Sequence, residues 1–439
     1  MRKTATTMAF AAMVGALVLS ACSPAASGPS AGSADPPAGA APGSVSLRMT
    51  TWTANETQLK LFGEIADAYK ATHPQIKQIT FDSLPAADYT TTLTTQLAGG
   101  DAPDLAWVFD TDATDFVTSG ALAPLTDVLK ATDGYDYADL SASAAALWTN
   151  ADQLYAYPFS TSPFIVFTND DLLTQNGLPT SAQMKADGNW TWPNIMDAAS
   201  KVNAKTGKGG VVVNKFDYSG WTYLATIWNG FGAAPWSADG KTCTLDSPQM
   251  QQAFTFINDA ITKQNAIPGP GTTVDFFSGG AVFEVAQISS AGLLKDATFK
   301  WDVNPLPAGQ DGSPANVIGQ AGLGVIAAGK NVDEAKQFLA FFTNPDNAKK
   351  LAAYFPPPRT SLQTAEVLAA ANPVLSADQL NNVVIAALSD AITLPGHSNQ
   401  AQIAQAVKTG LDPIWKPGAD VPGTLKSICT AISPLLQQG

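Results

Sequence analysis

From Val45 onward the chain alternates extended apolar runs with amphipathic helical runs, and this limits it to an α/β fold with helices laid on the faces of a sheet. Residues 45–53 are patterned as a strand. A helix is predicted over 56–72, with Leu59, Phe62, Ile65, Ala66 and Tyr69 at helical spacing until His73-Pro74 stops it. Strand 78–81, helix 89–97 and strand 104–109 follow, an order that predicts a mainly parallel sheet. The alternation resumes with a strand at 164–167, a helix at 192–203 and a strand at 210–213. Helices at 221–229 and 248–264, strands at 281–285 and 319–327, and a helix at 332–342 lead to a mostly helical tail. No repeat of fixed period occurs, which excludes solenoids and propellers.

The segment before this alternation reads as an address. Arg2 and Lys3 precede an apolar stretch too short for a durable transmembrane helix, and Leu19-Ser20-Ala21-Cys22 resembles the cleavage box of bacterial lipoproteins. Residues 1–21 are therefore expected to be removed, leaving Cys22 as a lipid-modified N-terminus. Residues 22–44, nearly all Ser, Pro, Ala and Gly, form a disordered tether. The expected location is the outer face of a bacterial cell membrane, held by lipid.

The formal charge of -13 would repel phosphate backbones, so nucleic acid is excluded as a partner. With two His and no His-Glu-x-x-His spacing, no metal site and no cofactor are expected. Asp110, Asp112 and Asp115 miss the calcium-loop register and its turn glycine, and read as helix-capping or ligand-facing acids. The run from Gly324 to Lys330 has phosphate-loop spacing, but Asn331 stands where Ser or Thr is needed. No Gly-x-Ser-x-Gly elbow occurs. Two carboxylates suffice for a glycosidase, and 37 acids leave that possibility open. Cys243 and Cys429 most simply pair in a disulfide outside the cytoplasm, with two buried thiols as the alternative.

The positive signal is ten Trp spread along an acidic chain. Aromatic faces stack on the CH faces of sugar rings while carboxylates and amides bond the hydroxyls. Trp52, within Thr51-Trp52-Thr53-Ala54-Asn55-Glu56, is the best placed for this.

The chain resembles the extracellular solute-binding lipoproteins that serve ATP-binding-cassette importers, in the sugar-binding group similar to maltose-binding protein. The resemblance rests on colinear motifs across the mature chain: Trp52 with Glu56, Leu97-Ala98-Gly99-Gly100-Asp101-Ala102-Pro103-Asp104, Ser119-Gly120-Ala121-Leu122, and Tyr157-Pro158-Phe159-Ser160 with Phe167-Thr168-Asn169. Asn176-Gly177-Leu178-Pro179, Thr191-Trp192, Gly279-Gly280-Ala281-Val282-Phe283, Leu306-Pro307-Ala308-Gly309 and Ala335-Lys336-Gln337-Phe338-Leu339 continue it. It implies a two-lobe periplasmic-binding-protein-like α/β fold. The first lobe would hold 45–158 plus 308–350 and the second 159–307 plus 351–439, with hinge crossings near 157–163 and 304–309.

The resemblance further implies a non-enzymatic, monomeric component of an importer that captures a carbohydrate and passes it to a membrane permease. Mapped onto matching motifs, the ligand positions are Trp52, Glu56, Asp110, Thr111, Asp112, Ser160, Ser162, Asp217, Tyr218, Trp221 and Gln287. The family's sugar-stacking Trp is missing after Gly279-Gly280, so Trp221 or Trp228 is expected to replace it. Arg359, one of three Arg, suits a sugar acid or vicinal hydroxyls, or else an interlobe salt bridge. An exported glycosidase and the same scaffold binding a polyamine or peptide are the alternatives.

Overall fold

The computed structural model describes residues 41–439 apart from 372, 389–390 and 439. The expected export signal, Cys22 and the tether up to residue 40 lie outside the described residues. Strand β1 (Val45–Thr51) leads into helix α1 (Glu56–Thr72), whose start is fixed by Asn55. The Asn55 side-chain oxygen accepts from the backbone N–H of Thr57 at 3.0 Å and of Gln58 at 3.1 Å, satisfying two otherwise unpaired donors. Phe62, Ile65, Ala66 and Tyr69 form its buried face, the face given by the 3.6-residue spacing. Strand β2 (Ile76–Ser83), helix α2 (Tyr89–Ala98) and strand β3 (Leu105–Phe109) complete an α/β start, with β2 and β3 both parallel to β1.

The long strand β4 (Ala156–Asn169) then serves two groups of partners. Helix α3 (Trp192–Thr206), strand β5 (Gly209–Val213), helix α4 (Pro248–Thr262), strand β6 (Ala281–Gln287) and the short β7 (Trp301–Asn304) follow. Helix α3 is opened by the Thr191 cap and closed by Gly207 at φ 67°, a left-handed turn that costs a glycine little. Strand β8 (Val317–Val325) returns to the first group and is followed by helix α5 (Val332–Phe342). A short β9 (Ile392–Thr393) and helices α6 (Gln400–Leu411) and α7 (Val421–Leu436) finish the chain.

The sheet order is β2-β1-β3-β8-β4-β6-β5, with β9 beside β8 and β7 beside β4. The expectation of a mainly parallel sheet needs correction: β8 is antiparallel to both β3 and β4, and β4 is antiparallel to β6 and β7. The reason is topological. Strand β8 crosses back between β3 and β4 and runs against both, while its pairing with β9 and that of β5 with β6 are parallel. Along β4 the partner changes from β8, ending at Pro163 opposite Ile318, to β6, beginning at Phe164 opposite Gln287.

Three hydrophobic clusters follow from this layout. One joins Met49, Phe62, Tyr69, Trp107, Trp148, Tyr157, Leu323 and Phe338 around β1, β3 and the first half of β4. The second half of β4 is covered on both faces: Phe164 and Val166 enter a cluster with Trp192, Trp221, Trp228 and Phe254, while Ile165 and Phe167 enter another with Phe276, Ile288, Leu368 and Leu380. This alternation is the two-residue period of a strand. Glycines in β8 permit close approach. A Cβ at Gly322 would lie 2.6 Å from the Trp148 ring and one at Gly324 2.7 Å from Leu122, while one at Gly329, just past the strand, would lie 3.0 Å from Ile326 O and 3.2 Å from Asp104 Cα, so Gly324 and Gly329, the two glycines that mimic a phosphate loop, are packing residues.

Cys243 and Cys429 form a disulfide, Cα–Cα 5.4 Å, tying the segment after Trp236 to α7. Of the two sequence readings, the paired one holds. Among the described residues no helix is long and apolar enough to cross a membrane, and no group of three His, Cys, Asp or Glu could hold a metal ion.

Candidate functional site

The carboxyl ends of β1, β3, β5 and β6 open onto one cavity of about 970 Å³, as the rule for open α/β sheets requires. Strand β1 delivers Trp52, and β3 delivers Phe109 and Asp110. Strand β5 is followed by Lys215, and β6 ends on Gln287. The middle of β4 contributes Phe159 and Ser160, and the start of β8 contributes Gly319 and Gln320.

One wall is aromatic. Trp52 stacks on Phe109 with centroids 4.1 Å apart and planes at 16°, and meets Trp107 and Tyr89 edge-on at 4.7 Å and 5.1 Å. Trp107 stacks on Phe159 at 4.4 Å. These rings hold one another in fixed planes, so the half-buried Trp52 is preorganised for a partner in the cavity.

The polar groups converge opposite. Buried Asp110 accepts the backbone N–H of Gln320 at 2.7 Å through one carboxylate oxygen and that of Thr111 at 2.9 Å through the other. Burial pushes its carboxyl up to about 6, against the pull of those two N–H groups and of the Lys215 ammonium. Lys215 sits on a turn at φ 60° and is open to the cavity water while crowded by protein atoms, with its ammonium 5.8 Å from the Tyr223 ring centroid. That crowding lowers its pKa, and Asp110 opposes the shift. Trp148 Nε1 donates to Gln320 Oε1 at 3.1 Å, fixing that amide. A Cβ at Gly319 would lie 2.3 Å from Gln287 Nε2, so glycine there admits the Gln287 side chain.

This arrangement carries a pH signature. The Asp110 pKa lies above its unfolded value of 3.8, so the folded chain holds an extra proton between about pH 4 and pH 6. Stability contributed by Asp110 is therefore present at the acid end of that window and falls as pH rises through it. The wild type is expected to lose stability relative to Asp110→Asn between pH 4 and pH 6, measured by chemical denaturation at closely spaced pH; a constant difference would contradict the assignment.

Of the expected site residues, Trp52, Asp110, Ser160 and Gln287 line the cavity. Others do not. Glu56 is exposed on the first turn of α1, and Asn55 and Gln58 line the cavity in its place. Thr111 gives only its backbone N–H to Asp110, and Asp112 takes the Thr90 hydroxyl at 2.6 Å away from the lining. Ser162 is buried, with its hydroxyl oxygen 3.4 Å from the Ser289 N–H it accepts. Asp217 is exposed in a left-handed turn, and the Tyr218 hydroxyl donates to Pro268 O. Trp221 and Trp228 are core residues 3% and 1% exposed, so neither replaces the missing sugar-stacking Trp.

Arg359 is also displaced from the expected cleft. It is fully buried, with Nη1 donating to Asp136 O and Nη2 to Thr343 O, both at 3.1 Å, and Asp139 3.7 Å away. Lys215, Tyr223, Gln320, Gln58 and Phe109 were not anticipated. Lys215 had a readable signal, a charge placed two residues after the apolar strand Gly209–Val213.

Two groups of strand ends facing across a cavity, joined by a strand that changes partners midway, define a two-lobed binding protein of the periplasmic type. The model of the bacterial extracellular solute-binding protein family matches residues 53–349, and the chain belongs to that family. The sn-glycerol-3-phosphate-binding periplasmic protein UgpB of Escherichia coli K12 is 24% identical over 319 residues, covering 67% of this chain and 70% of its own. An uncharacterized lipoprotein in the oleD 5' region of Streptomyces antibioticus is 26% identical over 360 residues, covering 78% and 73%. The fold is that of the ABC substrate-binding protein Lmo0181 from Listeria monocytogenes, solved in complex with cycloalternan, at TM-score 0.75 and 20% identity over 89% of this chain and 98% of that one.

Proposed function

We propose that this chain captures a carbohydrate between its lobes and delivers it intact to the membrane permease of an ATP-binding-cassette importer. The observation that carries this is the pairing of the Trp52 ring wall with the hydrogen-bonding groups of Asp110, Ser160, Gln287 and Gln320 in one cavity. Ligand contacts to both lobes favour the closed arrangement, and the permease receives that form. The protein works as a monomer without cofactor or covalent chemistry. Its lobes divide near residues 158, 308 and 350, and Cys22 carries the lipid that holds it at the outer membrane face, a reading the name of the Streptomyces relative supports.

A second reading has its own observation. Lys215 and Lys295 both line the cavity while Asp110 is its one carboxylate, a balance that suits a phosphorylated polyol and opposes a polyamine. The name of the Escherichia coli relative supports this reading as well.

The test is thermal stability of residues 23–439 against mono- and oligosaccharides, glycerol phosphates, polyamines and short peptides, with mass spectrometry on each hit. A ligand at a hundred times its Kd should add about 2.7 kcal/mol to the folded state. A shift with an intact sugar is expected. A shift confined to glycerol phosphates would select the second reading, and a cleaved sugar would make the protein a glycosidase.

A further inference from the structure

Leu293 exposes 63% of its surface, one of two large hydrophobic side chains left so open among the described residues, and it does so inside the cavity wall. Its placement is fixed. It belongs to the turn Ile288–Leu294 after β6, in which Ile288, Ala291 and Leu294 are buried in the cluster that also holds Leu368, Leu375, Leu380 and Val384. Val374 packs on that same cluster, and half-buried Val374 and exposed Pro373 reach the cavity beside it. Tyr354 and Phe355 also line the cavity, and Phe355 is held edge-on against Trp107 and Phe159 at 5.6 Å and 5.2 Å.

This part of the lining differs in kind from the Trp52 wall. A pyranose presents a flat CH face that pairs with an aromatic plane. Between residues 160 and 307 Trp221 and Trp228 are withdrawn into the core, and Tyr223 is the one aromatic ring of that stretch in the lining, while Phe159 and Phe355 pack with the Trp52 wall. What stands beside Leu293 instead is aliphatic surface, which has no plane to match a sugar ring but excludes water from flexible methylene groups. Ser289 and Lys295 flank Leu293 in the same segment of the lining, and the other polar groups gather at the ends of β3, β5, β6 and β8. Asp110 is bonded to Gln320, Gln287 lies against Gly319, and the Asp110 charge acts on Lys215.

We propose that the ligand is amphiphilic, a glycoside bearing an aliphatic substituent, with its hydroxyls among Asp110, Gln287 and Gln320 and its alkyl or acyl portion against Leu293, Pro373 and Val374. The inference rests on the carbohydrate reading above and names the substrate class more narrowly. A free oligosaccharide would leave Leu293 facing water, or facing only ring hydroxyls, whereas an aliphatic chain covers it. Full burial of each methylene tightens binding roughly fourfold.

The experiment is calorimetric titration of residues 23–439 with methyl, butyl and hexyl β-D-glucosides and the matching β-maltosides, all below their micellar range. Affinity is expected to rise at least tenfold from methyl to hexyl in one of the two series. Leu293→Ser, at an exposed position that folding does not depend on, is expected to flatten that rise, and Val374→Thr to reduce it. Equal affinity along both series overturns the inference and leaves the carbohydrate reading standing, with Leu293 then a contact that the lobes make on closing. A rise that Leu293→Ser leaves unchanged overturns the assignment of the subsite. Absence of binding by every member overturns this inference, and the carbohydrate reading falls with it only where no mono- or oligosaccharide stabilises the chain.

Discussion

Replacing Arg359 with alanine is expected to lower the unfolding free energy by about 3–5 kcal/mol, the cost of breaking a buried ion pair from one side. The side chain is wholly enclosed. Its guanidinium lies over the Tyr135 ring at 4.6 Å and binds the carbonyls of Asp136 and Thr343, joining the segment before Tyr137–Asp139 to the end of α5. Asp139, whose side chain is 10% exposed, also accepts the Ser361 N–H at 2.8 Å and the Ser361 hydroxyl at 2.7 Å. Alanine would leave two carbonyl oxygens without this donor and the Asp139 carboxylate without its counter-charge while opening a cavity of side-chain size. Arg359→Lys keeps the charge but loses the planar fork that reaches two carbonyls at once, and should fall between the two. Denaturant titration of wild type, Arg359→Ala, Asp139→Asn and the double variant measures this directly. A loss under about 1 kcal/mol would mean that water refills the pocket. In the double variant, a loss smaller than the sum of the two singles would locate part of the cost in the abandoned carboxylate.

The case of Arg359 shows where the residue pattern stopped being informative. A single arginine after three prolines is a chemical oddity in the sequence, and it suits either a ligand contact or a structural salt bridge. Burial decides against the ligand contact, because the fork binds the backbone oxygens of Asp136 and Thr343 beside the Asp139 carboxylate. The helices were far more legible. Glu56–Thr72 and Val332–Phe342 begin and end at the predicted residues, because the Asn55 cap and His73-Pro74 frame the one, and apolar periodicity defines the other. Parallel order at β1, β2 and β3 was also legible from the alternation of strands with helices. The antiparallel returns of β4 and β8 were not, since strand direction depends on partners far away in sequence.

Within the site, residues at strand ends were found and residues on turns were misplaced. Trp52, Asp110 and Gln287 follow directly from strand termini. Glu56 missed by two positions. On a helix that is about 200° of rotation, which is why Gln58 faces the cavity and Glu56 faces water. Lys215, Asp217 and Tyr218 share a stretch of positive φ, where neither a two-residue nor a 3.6-residue period tells which side chain turns inward. Trp221 and Trp228 were drawn inward by the largest apolar surface in their segment, as the general preference for burying such side chains anticipates.

Trp52→Ala is expected to weaken ligand binding by about 30-fold or more, the loss typical of a ring at the centre of a contact. The argument is geometric. Phe109 covers one Trp52 face at 4.1 Å, Tyr89 and Trp107 meet it edge-on, and the rest of the half-buried ring lies in the cavity lining. Alanine removes the platform and also releases Phe109 from the stack that orients it. Two effects must therefore be separated. The variant will melt lower because an aromatic cluster has lost a member, but at temperatures well below its midpoint that loss cannot change a dissociation constant, which is measured on the folded fraction. Trp52→Phe keeps a ring against Phe109 with less reach and should recover part of the affinity, whereas Trp52→Leu keeps volume without a plane and should not. Calorimetric titration with whichever intact sugar stabilises the wild type gives both comparisons. If alanine and leucine each bind within threefold of wild type, stacking on this wall contributes nothing and the ligand must be held by the Asp110, Gln287 and Gln320 groups alone. If leucine alone preserves affinity, the wall acts through exclusion of water rather than through the ring face, which would extend the aliphatic character of the Leu293 side to the whole cavity.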